Sequence, residues 1–142
     1  LVSAAERNGV TLIAVTLNAP DDWNDHTKML DEGFSMVSAY PLETACSARV
    51  DVAGTGLRVG VYADAATLSL LPKQRERLAR RVILPRMVYG GVSRGDELGR
   101  VEFLLDGAVV KTCPLYADAD VAAEQGSLSW WKKALGALGI YV

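Results

Sequence analysis

Apolar residues recur at every second position in some stretches of the chain and at every third or fourth in others. Residues 10–17, Val-Thr-Leu-Ile-Ala-Val-Thr-Leu, are apolar on both alternating faces, the pattern of a strand covered on two sides. Asn8-Gly9 just before them is a hairpin signal, because a type I′ turn needs positive φ at both central residues. Pro20-Asp21-Asp22 then opens a helix with an aspartate as N-cap. Trp23, His26, Thr27, Leu30 and Phe34 recur at helical spacing, with His26 on the inner side beside Trp23 and Leu30, and Gly33 takes the place of a C-terminal cap. One hairpin and one helix cannot cover both faces of the 10–17 strand. Residues 1–34 therefore read as a severed piece whose cover comes from polypeptide outside this sequence or from another chain. Self-association through residues 1–34 is the expectation.

Residues 35–47 show no period and read as a linker, with Tyr40 held extended by Pro41. From residue 48 the pattern becomes short strands between glycine turns. Arg49-Val50-Asp51-Val52 and residues 57–62 both alternate about a four-residue loop, 53–56. That loop sets Val50 opposite Val59 and Asp51 opposite Arg58, sorting apolar residues to one face and a charge pair to the other. Residues 67–71 form a third strand ended by Pro72, and Val82-Ile83-Leu84 a fourth ended by Pro85. Residues 98–116 form the clearest hairpin, with Asp106-Gly107 as its turn. A two-residue loop sets Glu102 opposite Lys111 as an outer ion pair. It makes Val101, Phe103 and Leu105 an inner stripe with Ala108, Val110 and Thr112. The fold class is mainly β, α+β overall: a small antiparallel β-sandwich preceded by a β-hairpin and one helix. The divisions are 1–34, linker 35–47, sandwich 48–120 and tail 121–142.

In the tail, Leu128, Trp131, Leu135, Leu138 and Tyr141 recur at three- and four-residue steps. Trp130-Trp131 beside Lys132 and Lys133 is the make-up of an interfacial membrane helix, although Gly136 and Gly139 weaken it in water. Trp130, Trp131, Lys132, Lys133, Leu135 and Leu138 are the residues expected at a membrane surface, in preference to a helix packed on the sandwich.

Composition narrows the field. Half of the 142 residues are hydrophobic, enough for a packed core and too many for disorder. A net charge of −2, with lysines and arginines scattered, gives no reason to expect nucleic acid. No run approaches the roughly 20 apolar residues of a membrane span. Cys46 and Cys113 match no zinc pattern. A disulfide between them is disfavoured, since Cys113 falls on the outer face opposite Arg100 and Cys46 in the linker.

Leu1-Val2-Ser3-Ala4-Ala5, then Thr11-Leu12-Ile13-Ala14-Val15, then Thr27-Lys28-Met29-Leu30-Asp31-Glu32-Gly33-Phe34 resemble the end of the catalytic domain of low-molecular-mass penicillin-binding proteins. These are serine-type D-Ala-D-Ala carboxypeptidases. The remainder resembles the family's β-rich C-terminal domain. The resemblance implies that the Lys-Thr-Gly motif precedes Leu1. It further implies that the parent trims peptidoglycan stem peptides on the outer face of the bacterial cytoplasmic membrane. Two departures stand out: Trp23 occupies the place of an arginine near the start of this helix, and Glu32 replaces a common aromatic. No substrate-binding residue is carried over.

The residues present offer no catalytic set. Ser129-Trp130-Trp131-Lys132 matches Ser-x-x-Lys but sits in the tail, and Lys111-Thr112-Cys113 keeps two positions of Lys-Thr-Gly. His26 has no second histidine to complete a metal site and reads as a packed or partly exposed helix residue. Asp21, Asp22 and Asp25 read as capping and dipole-complementing charges rather than metal ligands. The basic run Lys73, Arg75, Arg77, Arg80 and Arg81 reads as a solvated turn rather than a patch for wall polymer or lipid. Arg94-Gly95-Asp96 reads as a polar turn. The expected function is thus a non-catalytic scaffold and membrane spacer, with no catalytic residue, cofactor or metal of its own. Its partners would be the parent's catalytic domain, peptidoglycan through that parent, and the membrane surface. The alternative is a free-standing β-sandwich module binding wall polymer or a protein.

Overall fold

A computed structural model of the chain describes residues 1–122. The elements run β1 (Val2–Arg7), β2 (Val10–Val15), α1 (Asp22–Met36), β3 (Ser38–Pro41), β4 (Arg49–Val52), β5 (Arg58–Tyr62), β6 (Thr67–Leu70), α2 (Pro72–Arg75), β7 (Leu78–Ile83), β8 (Met87–Val88), β9 (Glu97–Leu105) and β10 (Ala108–Ala117). Strands dominate and α1 is the main helix, so the fold is β-rich α+β. The strands form a β1-β2 ribbon, a β3-β6 ribbon and a six-stranded sheet in the order β7-β9-β10-β5-β4-β8. Two compact units share them. The first holds Leu1–Thr44, Asp64–Arg81 and Glu102–Cys113; the second holds Ala45–Ala63, Val82–Val101 and the described residues from Pro114 onward.

In the first unit, β1 and β2 pair antiparallel from Arg7↔Val10 to Val2↔Val15. Asn8 and Gly9 turn the chain with φ of 53° and 75°, as the Asn-Gly pair requires. Even-numbered β2 residues face α1, and Val10 and Ala14 are buried there. Ile13, Val15 and Leu17 are 71%, 57% and 89% exposed, so among the described residues only one of the strand's two apolar faces is covered. The helix also differs from its sequence reading. It runs through Gly33 to Met36 and ends at an extended Val37. Gly33 serves packing rather than capping: a Cβ there would lie 2.7 Å from Leu12 Cδ1. At about 100° per residue, His26, Leu30 and Gly33 lie on one arc, and that arc meets the ribbon. Trp23, 77% exposed, and Thr27 fall outside it.

The stretch expected as a linker contains the end of α1 and a strand. Tyr40, kept extended by Pro41, lies in β3 and pairs with Leu68 of β6. β7 begins at Leu78, four residues before the expected strand, so Arg80 and Arg81 belong to a sheet and not to a turn.

In the second unit, Val50 pairs with Val59 and Asp51 with Arg58, as the four-residue loop requires. Val50, Val52, Val59 and Val61 are buried, each contributing about 1.5–3 kcal/mol on burial. The Arg58 guanidinium donates to Asp51 at 2.6 Å on the exposed side. Tyr62 of β5 pairs with Tyr116 of β10, their ring centroids 5.7 Å apart. The connection expected over residues 86–96 contains β8, which runs parallel to β4.

The β9–β10 turn has φ of 53° at Asp106 and 85° at Gly107, the conformation read from Asp-Gly. The face assignment is corrected. Val101, Glu102 and Phe103 are buried in succession, so β9 is covered on both faces there. Glu102 meets Arg81 of β7 rather than Lys111. On β10, Ala108, Val110 and Thr112 are exposed while Cys113, Leu115 and Ala117 are buried. Alternation gives parity, but other elements decide which parity is covered. Cys113 is consequently buried rather than outward, and both cysteines are free thiols.

Candidate functional site

Three features carry chemistry among the described residues: a buried histidine cluster, an uncovered apolar face, and the basic stretch around α2. The membrane-contact set Trp130, Trp131, Lys132, Lys133, Leu135 and Leu138, and the Ser129/Lys132 pair, lie outside the described residues.

The histidine cluster forms because two strands and a helix each supply one member on the shared interior side. Ser3 pairs with Ala14 across the ribbon and lies on the helix-facing side; Thr16, two residues after Ala14, lies there too. His26 of α1, 3% exposed, enters between them. Its Nδ1 lies 2.5 Å from Ser3 Oγ and its Nε2 lies 2.9 Å from Thr16 Oγ1. The Thr16 hydroxyl donates to Asp22 Oδ1 at 2.7 Å. With that proton committed, the Thr16 oxygen accepts from Nε2–H, and Nδ1 and the Ser3 hydroxyl share the remaining bond. Serine, imidazole, threonine and carboxylate are joined in that order by hydrogen bonds, and this chain of bonds is a clamp. Both ring nitrogens are engaged and the ring is enclosed, whereas a general base must reach a substrate proton. Sequence reading found His26 but missed Ser3 and Thr16. The β1–β2 register was the signal that could have found them.

The aspartates at the helix start divide their tasks. Asp21 stands at the N-cap position without a side-chain capping bond, and its carboxylate accepts instead from Asn24 Nδ2 at 2.8 and 2.9 Å. Asp22 holds Thr16. Among the described residues no group of three or more His, Cys, Asp or Glu side chains converges as a metal site.

On the outer side of the ribbon, Val2 stands opposite Val15 and Ala4 opposite Ile13. This row is apolar and open.

The basic stretch is largely tied to the protein. Arg77 Nε donates to Asp106 Oδ1 at 2.8 Å. Arg81 donates to Glu102 from two nitrogens, at 2.6 and 3.0 Å. Arg75 lies over the Tyr40 ring, 4.4 Å from its centroid. Elsewhere, Lys111-Thr112-Cys113 lies within β10 with a buried cysteine where the motif has glycine, so no substrate can approach that backbone as it would in a Lys-Thr-Gly strand. In Ser93–Asp96 the carboxylate of Asp96 accepts from the Ser93 N–H at 2.8 Å, which closes a polar turn.

No family model and no curated protein matches this sequence. Solved structures do. Penicillin binding protein 5 from Haemophilus influenzae aligns with a TM-score of 0.63 and 21% identity over 86% of this chain and 38% of that one. The D-alanyl-D-alanine carboxypeptidase DacD from Francisella tularensis aligns with a TM-score of 0.52 and 16% identity over 87% of this chain and 33% of that one. The fold is that of a penicillin-binding-protein segment. The chain spans about a third of the length of these two proteins.

Proposed function

We propose that this chain is the C-terminal portion of a serine-type D-Ala-D-Ala carboxypeptidase, comprising the end of the catalytic domain and the β-rich domain that follows. The observation that carries the reading is the fold likeness to two such proteins over 86% and 87% of the chain. The motif resemblance of Leu1–Ala5, Thr11–Val15 and Thr27–Phe34 supports the same reading. The open row of Val2, Ile13 and Val15 supports the reading too, because a parent catalytic domain would supply the cover it lacks.

In this reading the fragment holds no nucleophile, base or oxyanion hole. The parent's serine would attack the penultimate carbonyl of the stem peptide and release D-alanine. The residues described here serve position: the His26 clamp fixes α1 on the ribbon, and the β-rich part acts as a spacer. Residues 123–142 would place that spacer on the outer face of the cytoplasmic membrane. No helix among the described residues is long and apolar enough to cross one.

The test is labelling with a fluorescent penicillin. The 142-residue chain should remain unlabelled and inactive on a D-Ala-D-Ala peptide. The product of the open reading frame that contains it should be labelled on a serine upstream of Leu1. Covalent labelling of any residue within 1–142, or an upstream frame without Ser-x-x-Lys and Lys-Thr-Gly, would overturn the proposal.

A further inference from the structure

The first unit contains a cleft of about 450 Å³ between the β3-β6 ribbon and α2. That volume lies within the range of small-ligand sites. Ala39, Tyr40, Leu70, Leu71 and Pro72 give it mostly apolar walls, and Ser38, Arg75 and Glu76 complete the lining. The guanidinium carbon of Arg75 lies over the Tyr40 ring, 4.4 Å from its centroid, a cation–π contact. Its neighbours Arg77 and Arg81 are spent on Asp106 and Glu102. Arg75 has no carboxylate and no hydrogen-bond acceptor among the described residues. A second, smaller cleft of about 150 Å³ is also lined by Tyr40 and Arg75, so this stacked pair forms the wall shared by both.

A guanidinium seated over a tyrosine ring, with unpaired donors in a mostly apolar cleft, is a fork for an oxyanion that has a hydrocarbon body. Its parallel N–H groups match the two oxygens of a carboxylate. Orientation by the tyrosine face reduces the side-chain entropy lost on binding. The apolar walls favour a ligand whose carboxylate is attached to an aliphatic group over a bare anion. We infer that this cleft binds the carboxylate end of a short peptide or acylated amino acid, with Arg75 taking the carboxylate and Tyr40, Leu70 and Leu71 taking the aliphatic side chain. The test of this inference is independent of penicillin labelling.

Binding is measured on the 142-residue chain by calorimetry and by chemical-shift perturbation. The probes are N-acetyl-Ala-Leu as the free acid, the same dipeptide as its C-terminal amide, and inorganic phosphate. The acid should bind at least tenfold more tightly than the amide or phosphate, with shifts centred on Tyr40, Leu70 and Arg75. Arg75→Gln should weaken the acid at least tenfold and leave the amide unchanged. Tyr40→Phe, which keeps the ring, should bind as the parent does, and Tyr40→Leu should not. Equal binding of acid and amide, equal binding by Arg75→Gln, phosphate binding as tightly as the acid, or no saturable binding at millimolar acid would each overturn the inference. Arg75 is exposed, so its replacement leaves the fold intact.

Discussion

His26 of α1 and Ser3 of β1 are 23 residues apart in the chain and 2.5 Å apart in space, between imidazole Nδ1 and hydroxyl Oγ. Thr16 closes the other side of the ring at 2.9 Å. A buried imidazole satisfied on both nitrogens ties the helix to both strands. Its removal opens a cavity and leaves two hydroxyls short of a partner. His26→Ala should therefore lower stability by about 2–4 kcal/mol. Thr16→Val keeps the volume but orphans the Nε2–H, and should cost about 1–3 kcal/mol. Urea unfolding of the 142-residue chain, read as a midpoint change at constant slope, is the measurement. A loss under 0.5 kcal/mol for His26→Ala would show that the clamp carries no load.

Arg81 and Glu102 form an asymmetric pair: the carboxylate side chain is 8% exposed and the guanidinium side 56%. Arg81→Met leaves a buried carboxylate without this partner, whereas Arg81→Met with Glu102→Met removes the need for one. The single change should cost about 1–3 kcal/mol, discounted because the arginine is half in water, and the double change should recover most of it. A double-mutant cycle checks this; a coupling energy near zero would place the stabilisation elsewhere.

The pair also shows where sequence reading stops. Asn8-Gly9, Asp106-Gly107 and the 53–56 loop were legible because turn chemistry and period-2 alternation are local. The Asp51–Arg58 pair followed from one register. Glu102 could not be placed, since its partner comes from β7, whose start among Leu78-Ala79-Arg80-Arg81 shows only weak alternation. Tyr40 was read as extended, yet nothing local announces that β6 lies beside it. The Arg75–Tyr40 cleft was hidden for the same reason: its two walls are about thirty residues apart in sequence and become neighbours only through β3–β6 pairing.

Gly33 lies inside α1, where alanine would ordinarily gain about 0.5–1 kcal/mol over glycine. Its absent Cβ is matched by Leu12 Cδ1, 2.7 Å from where that carbon would be. The clashing atom ends a side chain that can rotate, so the propensity gain and the overlap nearly cancel. Gly33→Ala should change stability by less than about 1 kcal/mol, while Gly33→Val, bulkier and β-branched, should cost about 1–3 kcal/mol. If both variants unfold at the parental midpoint, α1 does not approach β2 as closely as the structure has it.

Val2 faces Val15 across the ribbon, and Ile13 follows on the same side two positions along β2. All three are more than half exposed. Burying them against a second copy would gain about 1–2 kcal/mol per side chain, and the β2 edge adds unpaired backbone groups to the attraction. The 142-residue chain should thus self-associate at micromolar concentrations. Ile13→Thr with Val15→Thr keeps β-branching, and so strand propensity, while making the row polar. This double variant should shift the association constant by about 2–4 kcal/mol toward monomer. Sedimentation velocity over a dilution series reads the shift directly. A parent chain that stays monomeric throughout, or a double variant that associates as strongly as the parent, would show that this face does not drive contact between copies.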